Sequence, residues 1–120
     1  MEDTMDQAIN QLLHSISDDF ARWRSLGEYG KPGDADEMFS KLSVQEGRKY
    51  LKIVKTDNQE TVWGFIVKED EAVKAGSHTF KAGDILKAAS WNAPARNKPR
   101  GNIIQGDFSW VRWTGPEYLA

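Results

Sequence analysis

Two short runs of residues separated by a turn constrain this chain most. From Arg48 to Thr56, Leu51 and Ile53 fall on one side and Tyr50, Lys52 and Val54 on the other, the period of two of a β-strand. Asp57-Asn58-Gln59-Glu60 is turn-like, and Thr61 to Val67 is rich in β-branched and aromatic residues, so the pair predicts an antiparallel hairpin. Gly64, inside the second run, predicts a bulge or a close approach of backbones.

Upstream the period changes. Met5, Ile9, Leu12, Ile16, Phe20 and Trp23 recur at steps of three and four, which lines one stripe of a helix. Thr4-Met-Asp-Gln7 fits a capping box at its start, and Gly27 is a suitable stop. This amphipathic helix is expected to pack on the chain's own sheet; a partner's helix is the other available target. From Glu28 to Asp36 glycine, proline and acids read as a loop, and Asp34 or Asp36 is placed to cap a short helix carrying Met38, Phe39 and Leu42.

Further strands are expected from Asp84 to Trp91 and in a closing hairpin, Asn102 to Gln105 and Phe108 to Thr114, around Gly106-Asp107. The expected fold class is therefore α+β: an N-terminal amphipathic helix plus a strongly curved, mostly antiparallel sheet or small open barrel of about five strands. One domain over residues 1–120 is expected, with a helix at 1–27, an acidic loop and short helix at 28–47 and a β-rich core at 48–116.

Composition excludes more than it assigns. With no cysteine, disulfides, thiolate nucleophiles and cysteine-based metal sites are out, and a reducing cytoplasm suits the chain. Acids stand where a signal peptide carries bases, and no apolar run is long enough to span a membrane. His14 and His78 sit in no motif, Ser90 lacks the flanking glycines of a nucleophile elbow, and the adjacent Asp18 and Asp19 point in different directions on a helix. No enzyme, cofactor or metal site is expected.

Charge points to binding. Residues 1–47 hold ten acids against four bases, and residues 48–120 hold twelve bases against eight acids. An anionic partner on the second part is compatible with this, as is docking of the acidic half on the basic one. Between Gly83 and Trp113 lie three of the five tryptophans, with Arg96, Lys98 and Arg100 on a connection stiffened by Pro94 and Pro99. Alternation puts Ile85, Lys87, Ala89 and Trp91 on one face of their strand, and Phe108, Trp110 and Arg112 on one face of the last, with Val111 and Trp113 opposite.

Single-stranded nucleic acid takes this mixture, because bases stack on rings while Lys and Arg neutralise phosphates. The candidate site is Tyr50, Lys52, Lys87, Trp91, Arg96, Lys98, Arg100, Trp110 and Arg112. Any one of the tryptophans serves a core more often than a ligand, so the case rests on clustering. The competing reading is a protein-interaction or assembly module, a homo-oligomer formed through the N-terminal helix or a sheet edge. The net charge of −2 favours that rival slightly.

The runs Gly-Arg-Lys-Tyr-Leu-Lys-Ile-Val from Gly47, Val-Trp-Gly-Phe-Ile-Val from Val62 and Lys-Ala-Gly-Asp-Ile-Leu-Lys-Ala-Ala-Ser-Trp-Asn-Ala-Pro-Ala-Arg-Asn-Lys-Pro-Arg-Gly-Asn from Lys81, with Val-Arg-Trp-Thr-Gly-Pro at the end, carry a resemblance. Residues 47–116 resemble small uncharacterised proteins encoded by tailed bacteriophages. The resemblance implies a protein acting in the cytoplasm of an infected bacterium, and it raises the expectation of handling nucleic acid or binding a host protein. It lends no catalytic residue.

Overall fold

The computed structural model describes residues 4–26, 31, 33–71, 79–96, 99–106, 108 and 110–116. Helix α1 spans Thr4–Ser25, and Ala8, Leu12, Ile16 and Phe20 form its buried stripe, with Met5, Ile9 and Leu13 packed at its margins. Ser17 is buried as well, and its hydroxyl donates to the Leu13 carbonyl at 2.8 Å, so no polar atom is stranded there. Trp23 departs from the expected stripe and stays 53% exposed. The expected stop at Gly27 lies outside the described residues.

Helix α2 spans Asp34–Lys41. Neither Asp34 nor Asp36 caps it: Gly33 occupies the cap position, and the Asp34 carboxylate instead accepts the Lys31 N–H at 2.8 Å and lies 3.9 Å from the Arg24 guanidinium. That ion pair joins the end of α1 to the start of α2. Met38 completes the shared core, and Phe39 stacks on exposed His14 with centroids 4.6 Å apart.

The sheet is a five-stranded antiparallel meander in the order β1-β2-β3-β4-β5, and it does not close into a barrel. Its strands are β1 (Leu42–Glu46), β2 (Tyr50–Thr56), β3 (Glu60–Val67), β4 (Asp84–Leu86) and β5 (Gly101–Asn102). Strand β1 pairs along its whole length with β2, which corrects the expectation of an acidic loop and short helix over residues 28–47 with Leu42 on the helix: helix α2 ends at Lys41 and Leu42 begins the strand. The expected β2–β3 hairpin forms, with Tyr50 opposite Val67 and Thr56 opposite Glu60.

The register slips by one residue where Ile53 faces Gly64 and Val54 faces Val62, so Trp63 is the extra residue of a bulge. The bulge resets the phase of β3: Trp63 and Ile66 join the helix-side core, whereas Val62 and Phe65, three apart, share the other face. Gly64 also serves close packing, because a Cβ there would stand 3.2 Å from the Leu86 carbonyl oxygen and 3.3 Å from Pro116 Cγ.

Both faces of the sheet are covered. On one, α1 and α2 pack over Ile53, Ile66, Ile85 and Ile103; on the other, Phe65, Val67, Phe80 and Leu86 form a second cluster beneath a loop. The strand expected from Asp84 to Trp91 stops at Leu86, after which an isolated Ala88–Pro94 bridge and an Ala95 N–H to Lys87 carbonyl bond (2.8 Å) fold residues 87–95 into a tight excursion.

The expected closing hairpin does not form either. Strand β6 (Val111–Arg112) pairs with β7 (Gly115–Pro116), a separate two-stranded unit, and Asp107 of the expected turn lies outside the described residues. This unit is fixed by the Trp63 indole N–H donating to the Arg112 carbonyl (2.8 Å) and by the Trp113 N–H donating to Asp19 Oδ2 (3.0 Å).

Strand β5 is only two residues long, and a side-chain network anchors it. Asn102 Nδ2 donates to Asp84 Oδ1 at 2.9 Å and to the Ala82 carbonyl at 3.0 Å, while its Oδ1 accepts the N–H groups of Ile104 and Gln105. Asn102 and Asp84 are both buried. Asn102→Ala orphans these partners and is expected to lower stability by about 2–3 kcal/mol in urea unfolding. A loss below about 0.5 kcal/mol would mean that water replaces the amide at no cost.

Candidate nucleic-acid interface

The period of two aims Tyr50 and Lys52 away from the helices, onto the face that the 87–95 excursion covers. Trp91, at the tip of that excursion, turns back toward β2, so the Lys52 ammonium lies 4.2 Å from the centre of its ring. This is a cation–π contact. Trp91 keeps 41% of its surface exposed. Next to this pair, between the β1–β2 turn and the sheet, a cavity of about 370 Å³ is bounded by Arg48, Lys49, Tyr50, Lys52, Phe65 and Asn92.

Electrostatics around the cavity are positive. Glu46 is the acid on its rim, and Lys68 engages it at 2.7 Å, which holds its carboxyl below the usual glutamate range. Arg48 and Lys49 are exposed on the turn.

Arg96 latches the excursion to the sheet. Its guanidinium makes a two-pronged pair with Glu71 (2.8 and 3.1 Å), donates to the Tyr50 hydroxyl and lies 4.7 Å from the centre of the Phe80 ring. The Arg96 hydrogen bond holds the Glu71 carboxyl below its ordinary value. A depressed carboxyl pKa stabilises the fold above the unfolded-state value, and that contribution disappears as pH falls through the folded-state value.

Wild type should therefore exceed Glu71→Gln in stability at neutral pH. Because Arg96 is 42% exposed, solvent screening keeps the margin under about 1 kcal/mol. The two thermal melting curves should converge below the ordinary glutamate range, and a margin unchanged by acid would detach Glu71 ionisation from the latch.

The remaining candidates lie elsewhere. Lys87 leans to the β6–β7 unit and donates to the Pro116 carbonyl. Burial, and then the charge of nearby Arg100, pushes its ammonium pKa down. Burial likewise lowers the Arg100 value. Lys87 and Trp91 thus do not share a face, because the strand that would have aligned them ends before both.

Trp110 is 4% exposed and packs in the helix-side core with Phe108, Val111 and Trp113, so the expected alternation across Phe108 to Trp113 is absent. Arg112 lies at the tip of β6, where it donates to the Val111 carbonyl. Lys98 lies outside the described residues, as does His78. Sequence reasoning missed Arg48, Lys49 and Asn92, although a basic pair beside Gly47 in a strand-to-strand turn was a usable signal.

Among the described residues, no group of three or more His, Asp or Glu side chains is placed to hold a metal ion, and no helix is long and apolar enough to cross a membrane. Fold and site together define an α+β protein that carries a groove lined by Arg48, Lys49 and Lys52 on the sheet face away from its helices, with Trp91 held against Lys52. The chain belongs to a family of unknown function, DUF7717, which it matches over residues 2–115. No curated protein and no solved structure matches it.

Proposed function

We propose that this protein is a non-enzymatic binder of nucleic acid, preferably single-stranded, and that the groove between the β1–β2 turn and Trp91 is its binding site. One observation carries the reading: Lys52 lines a cavity whose rim includes Arg48 and Lys49, and its ammonium lies against the ring of the partly exposed Trp91. Bases have a ring to stack on, and phosphates have neighbouring cations. The cavity lies at the small end of the range for ligand sites, roughly 300–1,000 Å³.

Within the reading, Trp91 and Tyr50 supply aromatic surface and Arg48, Lys49 and Lys52 contact phosphate. Arg96 positions the excursion. Trp110 has a core role, and Lys87, Arg100 and Arg112 lie outside the groove. The resemblance of residues 47–116 to small tailed-phage proteins supports a setting in the cytoplasm of an infected bacterium.

The test is a salt series. Anisotropy of labelled oligodeoxythymidylate should rise with protein, and log K should fall with log salt at a slope of about −2, since three cations each neutralise a phosphate at roughly 0.7 per contact on single strands. Duplex DNA should bind more weakly. A slope near zero, or no binding at low salt, would remove the phosphate contacts from the account.

A further inference from the structure

We propose that the end of α1 and the tip of the β6–β7 unit form a second binding surface, a docking site for an acidic protein segment that presents a large apolar side chain. Trp23 is 53% exposed and Leu26 is 83% exposed, at the end of a helix whose other apolar residues are largely buried. Trp113 leans on Trp23 with ring centroids 4.9 Å apart, and a cavity of about 240 Å³ opens beside Trp23, Leu26 and Trp113. Exposed apolar side chains gathered around a concavity mark contact sites more often than chance placement does.

Charge identifies the occupant. Arg22 and Arg112 line this cavity, and the Lys55 ammonium lies 4.9 Å from the centre of the Trp113 ring. The acid among them, Asp19, accepts the Trp113 N–H and so is already engaged in holding the hairpin. An apolar floor with a cationic margin complements an acidic amphipathic segment.

A base is the poorer fit. The Trp23 and Trp113 rings meet at 44°, which leaves no flat platform, and Leu26 is aliphatic. The surface is also separate from the groove of the proposed function: Lys52 and Lys55 are three apart in β2 and face opposite sides of the sheet. The inference therefore does not rest on nucleic-acid binding, and both surfaces can be occupied together.

The probe is a fluorescein-labelled peptide with one leucine and one phenylalanine among aspartates and glutamates, followed by anisotropy. It should bind the full chain, whereas a peptide with lysines in place of the acids, and one with serines in place of the apolar pair, should bind at least tenfold more weakly. Trp23→Ala and Arg22→Glu should each weaken the acidic peptide at least tenfold, and Trp91→Ala should leave it unchanged.

Arg22 is exposed, so its variant decides the matter even if Trp23→Ala is less stable. Equal binding of the lysine peptide, or no binding of the acidic one, overturns the proposal. So does displacement of the peptide by oligodeoxythymidylate, or a concentration-dependent dimer in sedimentation that Trp23→Ala abolishes, which would assign the surface to a second copy.

Discussion

Gly101→Ala is expected to remove about 3 kcal/mol or more of stability, a large share of the roughly 5–15 kcal/mol that keeps a domain folded. A Cβ at this position would stand 1.9 Å from Trp110 Nε1 and 2.5 Å from both Cδ1 and Cε2 of the same ring. Neither side can retreat easily. The Gly101 backbone is paired opposite Ile85, and Arg100 N–H donates to the Ile85 carbonyl at 2.9 Å.

On the other side, the Trp110 ring lies within the core, 6.3 Å from the Trp63 ring and 6.5 Å from that of Phe108. Overpacking of a filled core usually costs about 1–3 kcal/mol, and here the intruding atom meets a rigid ring rather than a flexible chain end. Urea unfolding of the variant should show a strongly reduced midpoint, or the protein should fail to fold. A loss below about 1 kcal/mol would contradict the packing of Trp110 on the β5 backbone.

The second large effect concerns binding. Trp91→Ala should weaken single-stranded DNA by about fivefold to more than a hundredfold, the equivalent of roughly 1–3 kcal/mol for one stacked base. The fold should survive, since Trp91 sits at the tip of a loop and its Lys52 contact contributes only about 0.5–1 kcal/mol at an exposed site. Trp23→Ala, on the helix side, should leave this affinity unchanged. Equal affinity of wild type and Trp91→Ala in the same anisotropy titration would remove stacking from the account.

Much of the fold was legible because strong periods override local detail. The helix stripe and the β2–β3 alternation were read directly, and Gly64 marked the bulge and close approach that the structure contains. What failed was short. Strands β4 to β7 have two or three residues each, too few for a period to register, and side chains such as Asn102 hold their place instead of long ladders. Strand β1 is likewise brief, and at the sheet edge its last four residues are exposed, so no apolar run announced it.

The site divides along the same line. Tyr50 and Lys52 were placed correctly because their strand is long, and Trp91 and Arg96 come to the same face only because a loop doubles back, which no alternation rule describes. Extending the β4 period through Lys87 to Trp91 set those two on one face when the chain had already left the sheet. Trp110 and Gly101 show the opposite limit: the ring looked available in sequence because the glycine that accommodates it sits nine residues away.

The most direct test of the proposed groove is the set of tryptophan indole N–H signals in a 15N-labelled sample titrated with oligodeoxythymidylate at low salt. Five tryptophans give five such signals, and single alanine substitutions assign them. The Trp91 signal is expected to shift or broaden first, while those of buried Trp63 and Trp110 and of helix-side Trp23 and Trp113 stay in place. An unmoved Trp91 signal, with or without movement of the others, would contradict it.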